Sequence, residues 1–216
     1  MSEFRVLDLF CGAGGFSCGL DQVEGFSTEV ALDFDVNAVN TFQKNFPNAK
    51  CICGDICDEN IKNMIIKLCK ERKVNMIIGG PPCQGFSMAN RQRLIDDPRN
   101  HLYKSYVEVV KKVHPKFFVM ENVKGMLSVA EQVKEDFRAI GYSVECHILN
   151  AKNFGVPQNR ERLIYIGNCM GVDNEQIFNE IFALSENIPE HNLGDALFAL
   201  RELEASRVKN STESGS

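Results

Sequence analysis

The chain has 216 residues, 44% of them hydrophobic and 25% charged, a composition typical of one globular domain with a sizeable core. No apolar run approaches the ~20 residues that span a bilayer, and the first residues lack the basic start and apolar stretch of a signal peptide, so we expect an intracellular protein with no membrane partner. The formal net charge of -5 excludes a broad electrostatic attraction to phosphate, so any nucleic-acid surface must be local.

Nine cysteines are scattered through segments that resemble strands and helices. An odd number in such positions predicts free thiols in a reducing compartment. Cys51, Cys53 and Cys57 lie close together, but their spacing fits no common zinc site and no Cys/His pair follows. We therefore expect no metal site.

The first predicted strand, residues 5–10, runs into a glycine-rich turn at Gly12, Gly14 and Gly15 and then into a helix that reaches about Val23. Glycines let the backbone approach a ligand closely, and the start of a helix offers free N–H groups. By itself this pattern is a weak signal, because many nucleotide and nucleoside binders share it.

Acidic residues end the next two predicted strands. Residues 28–34 lead to Asp33 and Asp35, about twenty positions after the glycine turn, which is a suitable distance for binding ribose hydroxyls. The alternative is a helix cap, above all for Asp35. A third strand at residues 50–53 delivers Asp55 in the same way.

A short apolar strand, residues 74–78, is followed by two glycines, two prolines and Cys83. These residues end the strand and predict a stiff loop that presents Cys83 at the carboxyl end of a sheet, where open α/β sheets bind ligands. The alternative is a turn that happens to contain a cysteine. The polar loop after Cys83 carries donors suited to phosphate and could close over a bound base, although an ordinary solvated loop has the same composition.

Strand and helix patterns continue to alternate. A helix with a clear 3.6-residue period covers residues 102–113, a strand at 116–120 ends in Glu121, and a further helix face extends from Met126 to Ile140. A half-buried strand at 142–148 and an apolar run at 163–166 predict a hairpin-like return. The whole pattern predicts a doubly wound α/β domain over residues 1–204, with helices near 177–184 and 196–203 and a frayed polar tail at 205–216.

Four segments occur in a fixed order and at fitting intervals: Asp8-Leu9-Phe10 with its glycine turn, Pro81-Pro82-Cys83-Gln84, Glu121-Asn122-Val123, and Gln158-Asn159-Arg160-Glu161-Arg162. Over residues 4–167 the chain thereby resembles the DNA cytosine-5 methyltransferase family. The resemblance implies S-adenosylmethionine as methyl donor, DNA as partner, and a Rossmann-like mixed sheet with one antiparallel strand. It also implies a place among the modification enzymes of restriction–modification systems.

The resemblance assigns roles to individual residues. The cofactor would lie against Phe10, its ribose would be bound by Asp33 and its adenine by Asp55 and Ile56, and the rest of that site would comprise Gly12, Gly14, Gly15, Phe34, Pro82 and Leu102. In catalysis, Cys83 would supply the thiolate and Glu121 would meet the charge that develops at N3 of cytosine. Arg162, with Arg160 nearby, would hold O2 of the base, and Asn122 would fix the catalytic loop. The flipped-out target base and its strand would be contacted by Gln84, Ser87, Arg91 and Arg93.

One departure from the family is as informative as the match. Only about fifty residues follow Arg162, and they contain no counterpart of a target-recognition region or of the segment that completes the cofactor domain. We therefore expect a split-enzyme subunit or a truncation that needs a second chain, and weak, sequence-independent DNA binding with little methylation by this chain alone.

Two alternatives remain open. One is the tRNA-methylating branch of the same fold, although Gly85-Phe86-Ser87 after Gln84 favours the DNA enzymes. The other is a non-catalytic regulatory relative. The presence of Cys83, Glu121 and Arg162 disfavours this alternative, because a site without catalytic function would be free to lose them.

Overall fold

A single sheet organises the protein. The structure is a computed structural model and describes residues 3–82 and 100–198. Within these ranges seven strands follow the spatial order β3-β2-β1-β4-β5-β7-β6. The strands are β1 (Phe4–Leu9), β2 (Phe26–Asp33), β3 (Lys50–Cys53), β4 (Met76–Gly79), β5 (Phe117–Val123), β6 (Ser143–Asn150) and β7 (Glu161–Asn168).

Strand direction reverses only at β7 among these strands. The pairs β1–β2, β1–β4, β2–β3 and β4–β5 are parallel, whereas β7 is antiparallel to both β5 and β6. The predicted mixed sheet with one antiparallel strand is confirmed, as is the hairpin-like return from β6 to β7. Because β1 to β5 share a direction, their carboxyl ends meet at one edge of the sheet.

Helices cover both faces of the sheet, as a doubly wound fold requires. They are α1 (Gly15–Asp21), α2 (Val36–Asn45), α3 (Glu59–Glu71), α4 (His101–Val113), α5 (Ala130–Arg138), α6 (Asn174–Ser185) and α7 (Leu193–Leu197). Asp35, Asp58 and Asp173 are N-caps whose side chains accept backbone N–H bonds from the first turns of α2, α3 and α6. The helix-cap interpretation of Asp35 is therefore confirmed.

The largest core cluster lies on one face of the sheet, under α3, α4 and α5. Near its centre Phe118 of β5 stacks on Phe137 of α5, with ring centroids 4.1 Å apart. On the other face, smaller clusters pack β1 and β4 against α1, and β2 against Phe42 of α2. This two-sided burial fixes the register of the central strands and so the positions of their carboxyl ends.

Two predicted helices differ from the observed ones. The apolar face from Met126 to Ile140 is divided between a 3-10 helix, Lys124–Val129, and α5, so the single long helix is wrong. The helix expected at 196–203 begins earlier, at Leu193, because Asn192 and Asp195 form a capping box there. The tail at 205–216 lies outside the described residues. No helix in the described part of the chain is long and apolar enough to cross a membrane.

Candidate active site

The glycine turn after β1 is tied to the end of β2. Phe10 and Gly12 both have left-handed backbone conformations, with φ of 60° and 54°. The N–H of Cys11 donates to the Leu32 carbonyl at 3.1 Å, and the N–H of Gly12 donates to Oδ2 of Asp33 at 2.8 Å. Asp33 therefore shapes the turn directly, a role that its spacing alone did not predict.

The three glycines of the turn have different surroundings. A Cβ on Gly14, which has a φ of 96°, would lie 2.3 Å from Cε2 of Phe46, so Gly14 allows α1 to pack against the end of α2. A Cβ on Gly12 or Gly15 would meet no atom of the described residues within 4 Å. All three lie outside the lining of the cavity that the turn borders.

That cavity, of about 500 Å³, opens at the carboxyl edge of the sheet. Its lining contains Phe10, Leu32, Asp33, Phe34, Gly54, Asp55, Ile56, Gly80, Pro82, His101 and Leu102. Seven of these eleven were expected from the sequence as cofactor residues, and the structure brings them together. The sequence analysis did not assign Leu32, Gly54 and Gly80 to this site, although each lies near a predicted strand end. His101 could not be assigned from the sequence, because the pattern there indicated only a helix.

The cavity has the chemistry that an adenosine group requires. Phe10, Ile56 and Leu102 form apolar walls, while the Asp33 and Asp55 carboxylates supply acceptors for hydroxyl or amino groups. Phe34 is 77% exposed at the rim, which leaves its ring free to stack on a planar ligand. A volume of this size lies within the usual range for small-molecule sites.

Asn122 anchors the start of the loop that leads to Cys83. This residue lies at the end of β5 and is only 5% exposed. Its Nδ2 donates to the Pro81 carbonyl at 3.0 Å, and its Oδ1 accepts the N–H of Val123 at 2.9 Å. Asn122 thus contacts the residue that lies two positions before Cys83 in the sequence.

Glu121 and two arginines of β7 meet beside this loop. Oε1 of Glu121 lies 2.7 Å from Nε of Arg162 and 4.0 Å from Arg160. The side chain of Glu161 instead pairs with Lys124 at 2.8 Å. A half-exposed carboxylate with a guanidinium partner therefore lies at the sheet edge.

Five predicted residues lie outside the described part of the chain: Cys83, Gln84, Ser87, Arg91 and Arg93. The residue before them, Pro82, lines the cavity, and Gly80 is close enough that an added Cβ would lie 3.0 Å from Oε2 of Glu121. The loop therefore starts between the cavity and the Glu121–Arg162 pair.

The three clustered cysteines point to different surroundings. Cys51 packs against the small core cluster that contains Cys11, Cys53 lies 3.6 Å from the Phe34 carbonyl, and Cys57 lies 3.5 Å from the Ser105 hydroxyl. Burial raises the pKa of the Cys57 thiol. In residues 3–82 and 100–198, no group of three or more His, Cys, Asp or Glu side chains could hold a metal ion.

The sheet order, the single reversed strand and the cavity at the carboxyl edge define an α/β fold of the S-adenosylmethionine-dependent methyltransferase type. The chain belongs to the C-5 cytosine-specific DNA methylase family, whose family model matches residues 4–214.

Individual relatives agree with this family. The chain is 40% identical to the type II methyltransferase M1.HphI of Haemophilus parahaemolyticus over 94% of its own length and 54% of that protein. It is 39% identical to the type II methyltransferase M.AquIA of a Picosynechococcus species over 78% of its length and 73% of that protein. The chain thus spans about half to three quarters of these relatives.

Solved structures show the same fold. A protein described as a DNA modification methyltransferase, encoded within an Escherichia coli prophage, superposes with a TM-score of 0.71 at 30% identity, covering 90% of this chain and 54% of that one. The Dnmt2 methyltransferase of Schizosaccharomyces pombe superposes with a TM-score of 0.64 at 22% identity, covering 82% and 54%. The second likeness concerns the fold alone.

Proposed function

We propose that this chain transfers a methyl group from S-adenosylmethionine to carbon 5 of cytosine in DNA. The observation that carries the proposal is the juxtaposition at one sheet edge of the cavity, the Pro81–Asn122 contact and the Glu121–Arg162 pair. Membership of the cytosine-5 methylase family supplies the reaction class. Because DNA is the substrate, the proposal places the protein inside the cell.

The cofactor would occupy the cavity described above. When bound, S-adenosylmethionine supplies an electrophilic methyl group on its sulfonium. Asp33 and Asp55 would accept hydrogen bonds from its polar groups, while Phe10, Ile56 and Leu102 would cover the adenine. Gly12 and its neighbours would act through the shape of the turn, since they do not line the cavity.

The Cys83 thiolate would attack carbon 6 of a cytosine that has left the base stack. Attack forms a carbon–sulfur bond at the expense of the double bond between carbons 5 and 6 and turns the ring into an enamine. Carbon 5 can then take the methyl group, and the demethylated thioether is the leaving group. Loss of the carbon 5 proton to a base, followed by elimination of the thiolate, restores the aromatic ring and releases 5-methylcytosine. The leaving thiolate recovers its electron pair and N3 returns its proton to Glu121, so the enzyme returns to its starting state.

Glu121 and Arg162 would serve the polar edge of the same base. A carboxyl group at N3 meets the charge that builds on the ring, and a guanidinium at O2 fixes its orientation. Arg162 holds Glu121 at 2.7 Å and so sets its direction before the base arrives. Asn122 would hold the loop that carries Cys83 through its bond to Pro81.

Reading of a DNA sequence would require further polypeptide. We propose that a recognition region, on a second chain or on additional sequence, supplies the contacts to base edges. Two facts support this: the chain covers 54% of M1.HphI, and its net charge of -5 gives little general affinity for phosphate. Within the chain, contacts to the DNA backbone would come from Gln84, Ser87, Arg91 and Arg93.

A covalent trap tests the proposal. DNA that contains 5-fluorocytosine blocks the last elimination, so the protein should form a stable adduct through Cys83 when S-adenosylmethionine is present. Cys83→Ser should form none while keeping its affinity for S-adenosylmethionine in calorimetry. The matched control is Cys18→Ser, because Cys18 is an exposed thiol on α1.

The same experiment separates the alternatives. An adduct on tRNA but not on DNA would assign the chain to the RNA-methylating branch. Binding of S-adenosylmethionine without an adduct on either nucleic acid, even with a recognition subunit added, would favour a regulatory relative. An adduct on another cysteine would overturn the role of Cys83.

A further inference from the structure

A buried carboxylate beneath the glycine turn has no part in the proposed reaction. Asp8 lies on β1 and is 1% exposed. Its Oδ2 accepts the hydroxyl of Ser17 at 2.6 Å, and Ser17, in α1, is 0% exposed. The backbone N–H of Ser17 also donates to this carboxylate.

These bonds replace a missing helix cap. Helix α1 begins at Gly15, and its N-cap, Gly14, has no side chain with which to accept an N–H group. Ser17 occupies the third position of the helix, whose N–H normally requires such an acceptor. Asp8 provides it from the neighbouring strand, and so attaches the first turn of α1 to β1.

The turn from Cys11 to Gly15 is therefore held at both ends by aspartates. At its start, Asp33 accepts the N–H of Gly12 at 2.8 Å. At its end, Asp8 holds Ser17. Asp33 lines the cavity, whereas Asp8 does not, so Asp8 acts on the cavity only through the turn.

We propose that Asp8 is a positioning residue for the cofactor, and that its ionised carboxylate keeps the Cys11–Gly15 turn in the shape that receives S-adenosylmethionine. This role rests on the proposed function. It assigns Asp8 no contact with the cofactor.

Holding a charged carboxylate in this place opposes folding. Burial is the main reason that the pKa of Asp8 rises from 3.8 to about 7, and the two Ser17 bonds only partly offset it. No described basic side chain forms an ion pair with Asp8; the titratable groups that act on it or feel its charge are Asp21 of α1, Asp33 of β2, Tyr106 of α4, and the thiols of Cys11 and Cys51. A buried carboxylate that opposes folding is typical of a functional site.

The sign of the pH dependence follows. Because the pKa in the folded protein lies above the ordinary value, stability is lost as the pH rises from about 4 to about 7. Ionisation over the upper part of the same range strengthens the two bonds from Ser17. As the pH rises, the stability of the protein should therefore decrease while its affinity for the cofactor increases. A purely structural role of Asp8 would not produce this opposition.

The test compares the wild type with Asp8→Asn between pH 6 and pH 8. Asparagine removes the charge and places an amide donor against the two donors of Ser17. We expect the affinity of the wild type for S-adenosylmethionine in calorimetry to increase with pH, and that of D8N to be flat and roughly tenfold weaker at pH 8. The Tm of D8N relative to the wild type should increase over the same range.

Asp21→Asn is the matched control. Asp21 is an exposed residue at the other end of α1, where it accepts bonds from Thr28, so its replacement removes a carboxylate without touching Ser17. D21N should keep the increase of affinity with pH, moved to slightly lower pH because the charge of Asp21 no longer raises the pKa of Asp8. Ser17→Ala provides a second variant should D8N fold poorly. It should also weaken binding of S-adenosylmethionine because it removes the hydroxyl donor to Asp8, but by less than D8N because the backbone N–H remains.

Hydrogen exchange gives a readout that needs no cofactor. In D8N and S17A the amides of residues 11–18 should exchange faster than in the wild type, while those of α2 should not change. A wild type that binds no S-adenosylmethionine would defeat the proposed function, yet exchange would still decide whether Asp8 holds the turn. Unchanged exchange in residues 11–18, or D8N affinity equal to that of the wild type at pH 8, would overturn the role of Asp8.

Discussion

Nε of Arg162 lies 2.7 Å from Oε1 of Glu121, across the antiparallel pair of β5 and β7. The register partner of Glu121 is Ile164. Arg162 comes two residues before Ile164 on β7, so its side chain extends from the same face of the sheet. Reversal of β7 is what makes this contact possible. If β7 were parallel to β5, the end of β7 near Asn168, and not the end that carries Arg162, would lie beside the carboxyl end of β5.

Replacement of Glu121 by glutamine should therefore lower methyl transfer by roughly 10²- to 10⁴-fold, the usual contribution of a positioned acid or base. Glutamine keeps the shape of the side chain but can neither supply the acidic proton nor form an ion pair with Arg162. Single-turnover assays with DNA, in the presence of any recognition subunit, measure the change. Glu161→Gln, whose partner is Lys124, is the control and should retain activity. Equal losses in both variants would contradict a specific role for Glu121.

Loss of either cavity carboxylate should weaken the binding of S-adenosylmethionine. A charge-assisted hydrogen bond contributes ~1.5–3 kcal/mol, so Asp33→Ala or Asp55→Ala should each reduce the affinity roughly ten- to hundredfold. Asp33→Ala should have the larger effect, because Asp33 also accepts the N–H of Gly12.

Calorimetry compares these variants with Asp58→Ala. Asp58 caps α3 through a bond from Asn60 but does not line the cavity, so its loss should lower stability and leave the affinity unchanged. Unchanged affinity in both cavity variants would exclude this cavity as the cofactor site.

The packing of β7 on the core depends on the absence of a side chain at Gly167. A Cβ there would lie 2.1 Å from Cε1 of Phe118, the ring that stacks on Phe137. Gly167→Ala should destabilise the protein by about 1–3 kcal/mol, the usual result of overpacking. Gly19→Ala lies in α1, where no atom in the part of the chain that the structure describes is within 4 Å of the new Cβ, and it should instead stabilise the protein by ~0.5–1 kcal/mol. Urea unfolding measures both, and equal stability of the two variants would contradict the packing at Phe118.

The sheet could be predicted from the sequence because its strands are short apolar runs separated by helices of regular period. The order of residues in β5 and β7 also placed Glu121 and Arg162 at strand ends. The hairpin-like return predicted that β7 runs opposite to β6, whereas the family resemblance implied that the rest of the sheet contains no other reversed strand.

Contacts between distant segments could not be predicted. The bond from Gly12 to Asp33 and the bond from Ser17 to Asp8 depend on how β1, β2 and α1 pack, which spacing does not report. Asp8 was noticed only as part of a motif, because an isolated acidic residue in an apolar strand gives no sign of its partner. The break between Val129 and Ala130 was missed for a similar reason: both halves continue one apolar face.

The space in front of Gly80 yields the most discriminating prediction. Gly80 has no Cβ, and one placed there would lie 3.0 Å from Oε2 of Glu121, with no other residue of the described ranges within 4 Å. Arg162 holds the other carboxylate oxygen, so Glu121 cannot move away without loss of that contact. Gly80→Ala should therefore turn Glu121 out of position and lower the rate of methyl transfer roughly ten- to hundredfold.

A double-mutant cycle shows whether the effect passes through Glu121. Aspartate at position 121 is one methylene shorter, so Gly80→Ala should cost much less in a Glu121→Asp background than in the wild type. Gly125→Ala is the control, since Gly125 lies just beyond β5 and a Cβ there has no atom of residues 3–82 or 100–198 within 4 Å. Affinity for S-adenosylmethionine is measured in parallel, because Gly80 also lines the cavity. If Gly80→Ala lowered the rate by the same factor in both backgrounds, the added methyl group would be acting on the cofactor or the loop, and Gly80 would have no role in placing Glu121.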